Sequence, residues 1–547
     1  MADAANYDVI IVGAGSAGCA LAARLSEDSS RRVLLIECGP DDTGFNPGWL
    51  SRMPKGLARL VTNPAHIHSY VIDPTARPDN SGPDLLIRGK MMGGSSAING
   101  MVYHRGQPED YDLWAGLGNP GWGWSDMLPY LLVMENHLDL PATQWRGSGG
   151  PISLTVSSLP ARLAKGIFEA GDALGLPRKE EANLLEQQGL SPIVANIDAQ
   201  GRRVSAARAF LTPSVRARPN LDIATNVSVN RILFNGRRVG GVQCTRDGEP
   251  TRYMATREVI LSAGALQSPA LLQLSGVGDS SRLSAMGIDV VHHNPNVGRN
   301  MLDHWNCYSG FDLFHHQDSH NREFRGWRLI WNVLRYQFGF RGALAASTHI
   351  LAGFDKVDPA ASRPDVGIIM APYSFAVDGK GRIVPAKQPT MHFYSLGLRP
   401  TSEGEVHISS GDPALPPMIV QNQLTTEYDQ RIAAGGMRLV RRLMSHPALA
   451  ELVKGEQEQT RDAQTDEELV EAARRYGTFG LHACGTCRMG PETDAKAVVD
   501  SRLRVRGVSG LRVIDASVMP TIPSANINAP VMATALRAAD LVIEDLR

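Results

Sequence analysis

The sequence contains few cysteines and almost no net charge. Six cysteines in 547 residues do not make a disulfide framework, which favours a reducing compartment, so we expect a cytoplasmic protein. The 55 lysines and arginines nearly cancel the 56 acidic residues, and no basic tail stands apart, so the chain lacks the positive footprint of a nucleic-acid-binding protein. No internal repeat and no low-complexity segment occurs in the sequence. The composition is that of a large globular enzyme with about two domains.

Long apolar runs are also missing. The nearest candidate for a signal peptide or membrane anchor, residues 9–25, follows Asp8, where a signal would carry positive charge, and Arg24 interrupts it. It also falls short of the roughly 20 apolar residues that a membrane-spanning helix needs. We therefore expect a chain without a membrane span.

The N-terminus does contain a glycine-rich turn between a predicted strand and a predicted helix. Residues 7–12 are apolar and β-branched, as in a buried strand, and a helical pattern covers residues 19–25. In such a unit Gly13 makes the tight turn, Gly15 lets a pyrophosphate approach the backbone, and Gly18 lets the helix pack on the strand.

Two further features make this turn a predicted dinucleotide site. Ser16 and Ala17 open the helix, whose free N–H groups and dipole attract phosphate. A second apolar strand at residues 32–36 ends at Glu37, 19 residues after Gly18, where a carboxylate can accept hydrogen bonds from a ribose. The glycine triplet alone would be weak evidence, but the strands and the acid strengthen it.

A second glycine cluster spans residues 88–106. Together with residues 264–278, 296–304 and 399–406, and most of the last 70 residues, it resembles the glucose–methanol–choline (GMC) family of flavoprotein oxidoreductases. These motifs lie in family order along nearly the whole chain.

The resemblance implies an α/β fold with two domains. One is a Rossmann-like FAD-binding domain, and the other is a discontinuous α+β substrate-binding domain with an antiparallel sheet and helices. We place the FAD-binding domain at residues 1–158, 200–308 and 476–547, and the substrate-binding domain at 159–199 and 309–475.

The resemblance also implies which residues border FAD. In residues 88–106, side-chain-free glycines permit backbone contact with a flat ring, whereas a plain glycine-rich turn before a helix is the alternative. The implied contacts are Gly93, Ser95, Asn99, Gly100, Met101 and Val102, with Val229 near the adenine and Asp515, Ala516, Asn528, Ala529 and Pro530 near the isoalloxazine. Ile98 stands where some members carry a histidine bonded to the flavin. Because isoleucine has no nucleophile, we predict non-covalent FAD.

His482, in a turn rich in glycine, is the candidate catalytic base. Oxidation of an alcohol requires removal of the hydroxyl proton while a hydride leaves the same carbon, and a neutral imidazole suits that task near neutral pH. A lone histidine in such a turn is more often structural, but this one matches the family's catalytic position.

Asn526 is the candidate partner of His482, at a family position that holds histidine or asparagine. An amide is no base, but its N–H groups can donate to the substrate oxygen as negative charge develops there. The pair is therefore asymmetric: His482 moves protons and Asn526 positions the substrate. The alternative interpretation of Asn526 and Asn528 is that they cap the following helix.

Two other motifs do not predict a further functional site. Cys484 and Cys487 have the spacing of a thiol–disulfide redox pair but lie in the turn that carries His482, so we do not predict redox chemistry there. His315, His316 and His320 lack cysteine or acidic partners at a recognisable spacing, so we expect solvated loop histidines and no metal site.

Residues 324–338 form the most individual segment. Phe324, Trp327, Trp331, Leu334 and Phe338 recur at helical spacing with arginines between them, which predicts an amphipathic helix. Core packing, the wall of a substrate cavity and contact with a membrane surface all remain open. If the stripe lines the pocket, the substrate is apolar or aromatic rather than a sugar.

The sequence predicts an FAD-dependent enzyme that oxidises a primary or secondary alcohol, aromatic or apolar, to an aldehyde or ketone. O2 or another acceptor would reoxidise the flavin, and no feature sets the oligomeric state. The alternatives are a non-redox flavoprotein resembling the hydroxynitrile lyases or photodecarboxylases of this family, and a nicotinamide-dependent dehydrogenase that uses the first glycine turn alone.

Overall fold

A parallel sheet forms the first layer of the fold. The computed structural model describes residues 6–73, 85–377 and 383–547. The parallel strands lie side by side in the order Leu511–Val513, Glu249–Leu261, Asn6–Val12, Val33–Ile36 and Leu221–Ala224. The first half of Glu249–Leu261 also pairs antiparallel with Arg238–Arg246, which pairs with Val227–Asn235.

The residue types of its central strand explain why this sheet is buried. Strand Asn6–Val12 consists mostly of buried β-branched residues, as parallel strands covered on both faces require. Helix Ser16–Leu25 packs against helix Asn528–Asp545, so the two ends of the chain meet beside the sheet.

An antiparallel sheet forms the second layer. Its strands lie in the order Val453–Glu456, Trp305–Leu313, Thr390–Gly397, Val366–Ala371, Leu351–Asp355 and Gly189–Pro192, and Thr478–Phe479 also pairs with Trp305–Leu313. Helices Ala161–Ala173 and Glu427–Met444 pack on it over a second apolar core. This sheet extends a few residues beyond the predicted 309–475, and the domain division itself stays a prediction.

The remaining elements connect these layers. Further helices cover Leu50–Arg52, Leu57–Leu60, Pro108–Gly116, Trp124–Met134, Ala206–Phe210, Pro213–Arg216, Gly264–Leu274, Ser280–Ala285, Gly326–Gln337, Glu458–Arg461 and Asp466–Tyr476. Small sheets pair Ile67–Val71 with Leu85–Gly89, Val277–Gly278 with His292–His293, Phe375–Val377 with Ile383–Pro385, Glu405–His407 with Met418–Val420, and Ile152–Val156 with both Glu135–His137 and Val194–Ala195. In the described part of the chain, no helix is long and apolar enough to cross a bilayer.

The predicted amphipathic helix exists as Gly326–Gln337, but it does not pack into the core. Its apolar side chains face solvent, and Trp327 is 69% exposed. Core packing, one of the interpretations of this stripe, is therefore wrong, because the polar face of the helix contacts the protein instead. Phe324, just before the helix, does face inward and contacts the ring of Tyr373.

Candidate active site

The glycine turn has a different steric requirement at each glycine. Gly13 has a φ of +100°, and a Cβ there would lie 2.6 Å from the carbonyl oxygen of Ser262. A Cβ at Gly18 would lie 1.9 Å from the carbonyl oxygen of Gly13, so the helix packs directly on the turn. A Cβ at Gly15 would meet no atom within 4 Å. The backbone is therefore accessible at the position predicted for the pyrophosphate, at the start of helix Ser16–Leu25.

Glu37 holds this turn as well as being placed for a ribose. Its carboxylate accepts N–H groups from Ala14 at 3.0 Å and Gly39 at 2.9 Å. Burial raises the pKa of Glu37, while these backbone donors oppose the shift. Val227 donates to the Glu37 carbonyl, which brings the strand that carries Val229 to the same end of the sheet.

The structure joins the predicted cofactor residues from both ends of the chain. The hydroxyl of Ser16 donates to Oδ1 of Asn528 at 2.7 Å, across 512 residues of sequence. Asn528, Ala529 and Pro530 form the first turn of helix Asn528–Asp545, so two helix N-termini meet here.

Asp515 and Ala516 lie in the loop that leads to this second helix. The Asp515 carboxylate accepts the Gly264 N–H at 2.8 Å and the Ser268 hydroxyl at 2.6 Å, and burial raises the pKa of Asp515. Ala516 contributes its carbonyl to the N–H of Gly485, in the turn that holds His482.

The second glycine cluster packs against the first turn. Gly93 donates its N–H to the Ala14 carbonyl at 2.8 Å, and a Cβ at Gly94 would lie 2.8 Å from Cα of Gly15. Ser95 accepts the N–H of Gly89. This packing places the loop from Gly93 onwards over the predicted pyrophosphate position.

The buried Arg203, which no sequence pattern indicated, supports this loop. Its guanidinium donates to the Asn99 carbonyl at 2.6 Å and to Asn99 Oδ1 at 2.7 Å, and Asn99 Oδ1 also accepts the N–H of Met101. Gly100 and Val102 continue the loop, and Met101 has a φ of +66°. Arg203 belongs to no motif, so only its burial reveals the role. These features fit a flat cofactor: an accessible glycine backbone, two helix N-termini and a braced loop.

His482 and Asn526 are in direct contact. Nδ2 of Asn526 lies 3.0 Å from Nε2 of His482, and Nδ1 of His482 lies 2.9 Å from Nδ1 of His304. Leu481, with a φ of +61°, turns the chain here, and the His482 N–H donates to the Asp303 carboxylate at 2.7 Å. His304 is a second residue that we had not singled out as a site residue, although residues 296–304 form a family motif.

The hydrogen-bond partners assign the protons on both imidazoles. Nε2 of His304 lies 3.1 Å from the Leu398 carbonyl, which only accepts, so Nε2 carries the hydrogen. Burial lowers the pKa of His304 to about 4, so its Nδ1 is bare at neutral pH and accepts from His482. His482 therefore carries its hydrogen on Nδ1 and presents the lone pair of Nε2 toward Asn526.

The surroundings keep His482 neutral. Burial lowers its pKa well below the ordinary 6.5, and the nearby His304, Arg88 and His104 lower it further. Burial raises the pKa of Asp303 to about 7, against the opposing influence of Arg88. His104 is buried beside Asn526, and burial lowers its pKa to about 4.

Aromatic rings and a lysine pack together next to the flavin loop. Nζ of Lys55 donates to the Ser347 carbonyl at 2.8 Å and to the Tyr373 hydroxyl at 3.2 Å, and it lies 4.5 Å from the centre of the Tyr373 ring. Among the described residues no carboxylate pairs with it, and burial lowers the pKa of Lys55 to about 7. Ser347 also donates to the carbonyl of Gly100, which ties this region to the flavin loop.

Two histidines in this region have a free ring nitrogen. His392 uses Nδ1 to donate to the Tyr373 carbonyl, and His349 uses Nδ1 in a contact with Thr348, while the Nε2 atoms of both histidines are buried without a hydrogen-bond partner among the described residues. The rings pack together with His392 4.9 Å from Tyr394 and 5.7 Å from Tyr308. We call Lys55, Tyr308, His349, Tyr373, His392 and Tyr394 the aromatic cluster. Sequence patterns gave no signal for it.

The cysteine and histidine motifs for which we predicted no further site lie in different surroundings. Cys484 and Cys487 are buried free thiols, and burial raises the pKa of each well above its ordinary value, so neither is a reactive thiolate. Over the described ranges no group of acidic, cysteine and histidine side chains could hold a metal. His315 and His316 are exposed as expected, whereas His320 lies inside near Lys55, and burial lowers its pKa to about 4.

Comparison with known proteins gives a consistent result. The GMC oxidoreductase family models match residues 7–306 and 400–535. The chain is 36% identical to the oxygen-dependent choline dehydrogenase of Staphylococcus saprophyticus, over 98% of this chain and 95% of the relative. It is 35% identical to the human mitochondrial choline dehydrogenase, over 98% and 90%. The crystal structure of pyridoxine 4-oxidase from Mesorbium loti superposes with a TM-score of 0.86 at 30% identity, over 98% and 99%.

These matches confirm the resemblance and the fold class predicted from the motifs. A Rossmann-like domain for FAD and a substrate-binding domain with an antiparallel sheet are what such neighbours share with this structure. The chain therefore belongs to the GMC oxidoreductase family and is an FAD-dependent oxidoreductase that acts on CH–OH groups.

Proposed function

We propose that the protein oxidises a primary or secondary alcohol with an aromatic or apolar body to an aldehyde or ketone, with His482 as the base. The observation that carries this proposal is Nε2 of His482, which carries no hydrogen because Nδ1 donates to His304, and which accepts the N–H of Asn526 at 3.0 Å, where the alcohol O–H would take its place. A base must present a lone pair within hydrogen-bond reach of the proton that it takes.

The residues divide the reaction between them. The alcohol O–H donates to Nε2 of His482 and transfers its proton there, while an N–H of Asn526 stabilises the negative charge on the oxygen. FAD, when bound, accepts the hydride that leaves the carbinol carbon. A carbonyl forms as the C–H and O–H bonds break, and His482 retains one proton.

FAD would be held by the two glycine turns and by both helix N-termini. Gly13, Gly15 and Gly18 border the pyrophosphate position, and the loop of Gly93 to Val102 covers it. Ile98 is buried in an apolar cluster and offers no nucleophile, which supports non-covalent attachment. A flavin that stayed with the polypeptide after acid precipitation would contradict this.

The aromatic cluster supports an aromatic or apolar substrate over choline. A quaternary ammonium needs aromatic faces without a competing cation. Here the Lys55 side chain already lies against Tyr373, and its ammonium form, present below about pH 7, would repel a trimethylammonium group. The free Nε2 atoms of His349 and His392 suit a substrate whose ring carries hydrogen-bonding groups.

The electron acceptor and the compartment are also proposals. The name of the Staphylococcus relative supports O2 as acceptor, although another acceptor is equally compatible with the site. The free cysteines of the described residues agree with a cytoplasmic location, while the human relative is mitochondrial.

An anaerobic visible spectrum tests the proposal. We expect aromatic alcohols to bleach the yellow flavin band of the holoprotein and choline to bleach it weakly, and admission of air then separates an oxidase from a dehydrogenase. A flavin band that no alcohol bleached would favour the non-redox alternative. Membership of the GMC oxidoreductase family argues against the nicotinamide-dependent alternative.

A further inference from the structure

The apolar face of helix Gly326–Gln337 points away from the rest of the protein. Five large apolar side chains lie within one narrow stripe on its outer side, which we call the apolar ridge: Trp327, Ile330, Trp331, Leu334 and Phe338, exposed by 69, 65, 54, 46 and 76%. A surface helix of a globular protein normally buries this face. An exposed stripe of this size marks an interaction surface.

The polar side of the helix forms hydrogen bonds with the rest of the protein. Asn332, buried on the inner face, donates to the Glu323 carbonyl at 3.0 Å and to its carboxylate at 3.1 Å. The Tyr336 hydroxyl donates to the Arg52 carbonyl at 3.1 Å. The outward orientation is therefore built by specific hydrogen bonds.

Neighbouring aromatic residues extend the ridge. Phe45, 72% exposed, stacks on Trp49 with ring centres 5.2 Å apart, and the Trp49 indole donates to Gln337 at the end of the helix. Phe340, 60% exposed, follows the helix. Tryptophan and phenylalanine on such a face are typical of helices that rest in a membrane interface.

The segment that carries the ridge has mostly positive charges. Residues 322–341 contain the arginines Arg322, Arg325, Arg328, Arg335 and Arg341. Their one acidic residue, Glu323, pairs with Arg322 and Arg328. The segment therefore carries a net charge of 5 − 1 = +4, and the helix itself contains no acid.

We propose that the apolar ridge docks the protein on the surface of an anionic lipid bilayer. The apolar stripe would enter the boundary between headgroups and acyl chains, while the arginines beside it attract anionic headgroups. A second copy of the chain is a poorer occupant, because a two-fold contact over this surface would bring two positive arrays together. The protein would lie on the membrane without crossing it.

This docking would place the aromatic cluster close to the bilayer. Phe324 directly precedes the helix and its ring centre lies 5.3 Å from that of Tyr373, which contacts Lys55. Phe375, 54% exposed, also contacts the Tyr373 ring. A partner dissolved in the membrane would therefore meet the protein beside this cluster.

Vesicle co-sedimentation of the holoprotein tests the proposal. We expect binding to vesicles of phosphatidylcholine mixed with phosphatidylglycerol, and much weaker binding to phosphatidylcholine alone. The double variant Ile330→Glu with Leu334→Glu should bind at least about tenfold more weakly. Arg335→Gln should lose about fivefold, since each basic residue near an anionic surface contributes about that factor.

The matched control carries the same two charges elsewhere. Leu113→Glu with Val133→Glu replaces apolar residues exposed by 43 and 61% on other helices, and it should bind vesicles as the parent does. All variants should keep the flavin spectrum, so folding is checked without reference to the alcohol reaction. Absence of binding to the mixed vesicles, or equal binding by the Ile330/Leu334 variant, would overturn the proposal. So would a dimer in solution that only this variant dissociates.

Discussion

The cofactor side and the substrate side of this site are built in different ways. The cofactor side consists of backbone: Gly15 leaves an accessible peptide, and Gly93 bonds to Ala14. The side that we propose for the substrate consists of side chains from distant segments, such as Lys55 against Tyr373.

This difference explains which substitutions each side of the site tolerates. Backbone contact requires glycine at fixed spacing, since any side chain would occupy the contact itself. A pocket of side chains can exchange its members while the sheet behind it stays the same. The family should therefore keep its cofactor while the substrate changes, and four sets of variants test that view.

The largest effect should come from Gly18→Ala, compared with Gly15→Ala. A methyl at Gly18 would lie 1.9 Å from the Gly13 carbonyl oxygen, so helix and strand must separate at a cost of about 3 kcal/mol or more. A methyl at Gly15 meets no protein atom, so that variant should fold but bind FAD at least about tenfold more weakly. Thermal unfolding and FAD titration measure the two effects. A stable Gly18→Ala holoprotein would refute the packing argument.

Next in size is His482→Asn, which removes the proposed base. We expect kcat to fall by about 10² to 10⁴, with the flavin spectrum retained, because general base catalysis typically contributes that much. The control is His315→Asn, which changes an exposed histidine outside the site. Stopped-flow flavin reduction measures the rate, and near-parent reduction by His482→Asn would exclude it as the base.

A smaller loss is expected for His304→Phe, which removes the acceptor for Nδ1–H of His482. The proton on His482 could then move to Nε2, and kcat should fall by about ten- to a hundredfold. His304→Asn, whose amide oxygen can still accept, should recover part of the loss. The pH profile of kcat/KM separates this positioning role from a packing role: its acid limb should shift in the phenylalanine variant and much less in the asparagine variant.

The smallest effect concerns Lys55 and the choice of substrate. Its folded-state pKa of about 7 lies below the ordinary 10.5, so the ammonium is present below pH 7 and is lost as the pH rises through 7. The KM for choline should therefore fall about five- to tenfold from pH 6 to pH 8. Lys55→Met should show a low KM throughout, and Lys55→Arg a high one. Steady-state kinetics that gave the same KM for all three proteins would remove Lys55 from the substrate argument.

The features that could be predicted from the sequence belong mostly to the side of the site that is built from backbone. The glycine turns, the class of fold and the family were predictable, because backbone motifs are local in sequence. The contact between His482 and Asn526 was predicted as a pair, and the structure places the two side chains 3.0 Å apart. The roles of the two residues stay predictions until the variants are measured.

Other features could not be predicted from local patterns. The periodicity of residues 324–338 identified the helix correctly, but a hydrophobic stripe has the same period whether it faces the core or the solvent. Arg203 and Lys55 gave no signal, since their importance depends on burial beside residues far away in the chain.

The sequence by itself determined the strand–turn–helix units and the family, and it predicted the candidate catalytic side chains, because these depend on residue type and short spacing. Only the tertiary structure decided the proton on His482, through the Leu398 carbonyl beyond His304. It also decided which side of the amphipathic helix faces solvent and which side chains surround Lys55. Those properties depend on distances between side chains of different segments, which the folded packing alone sets.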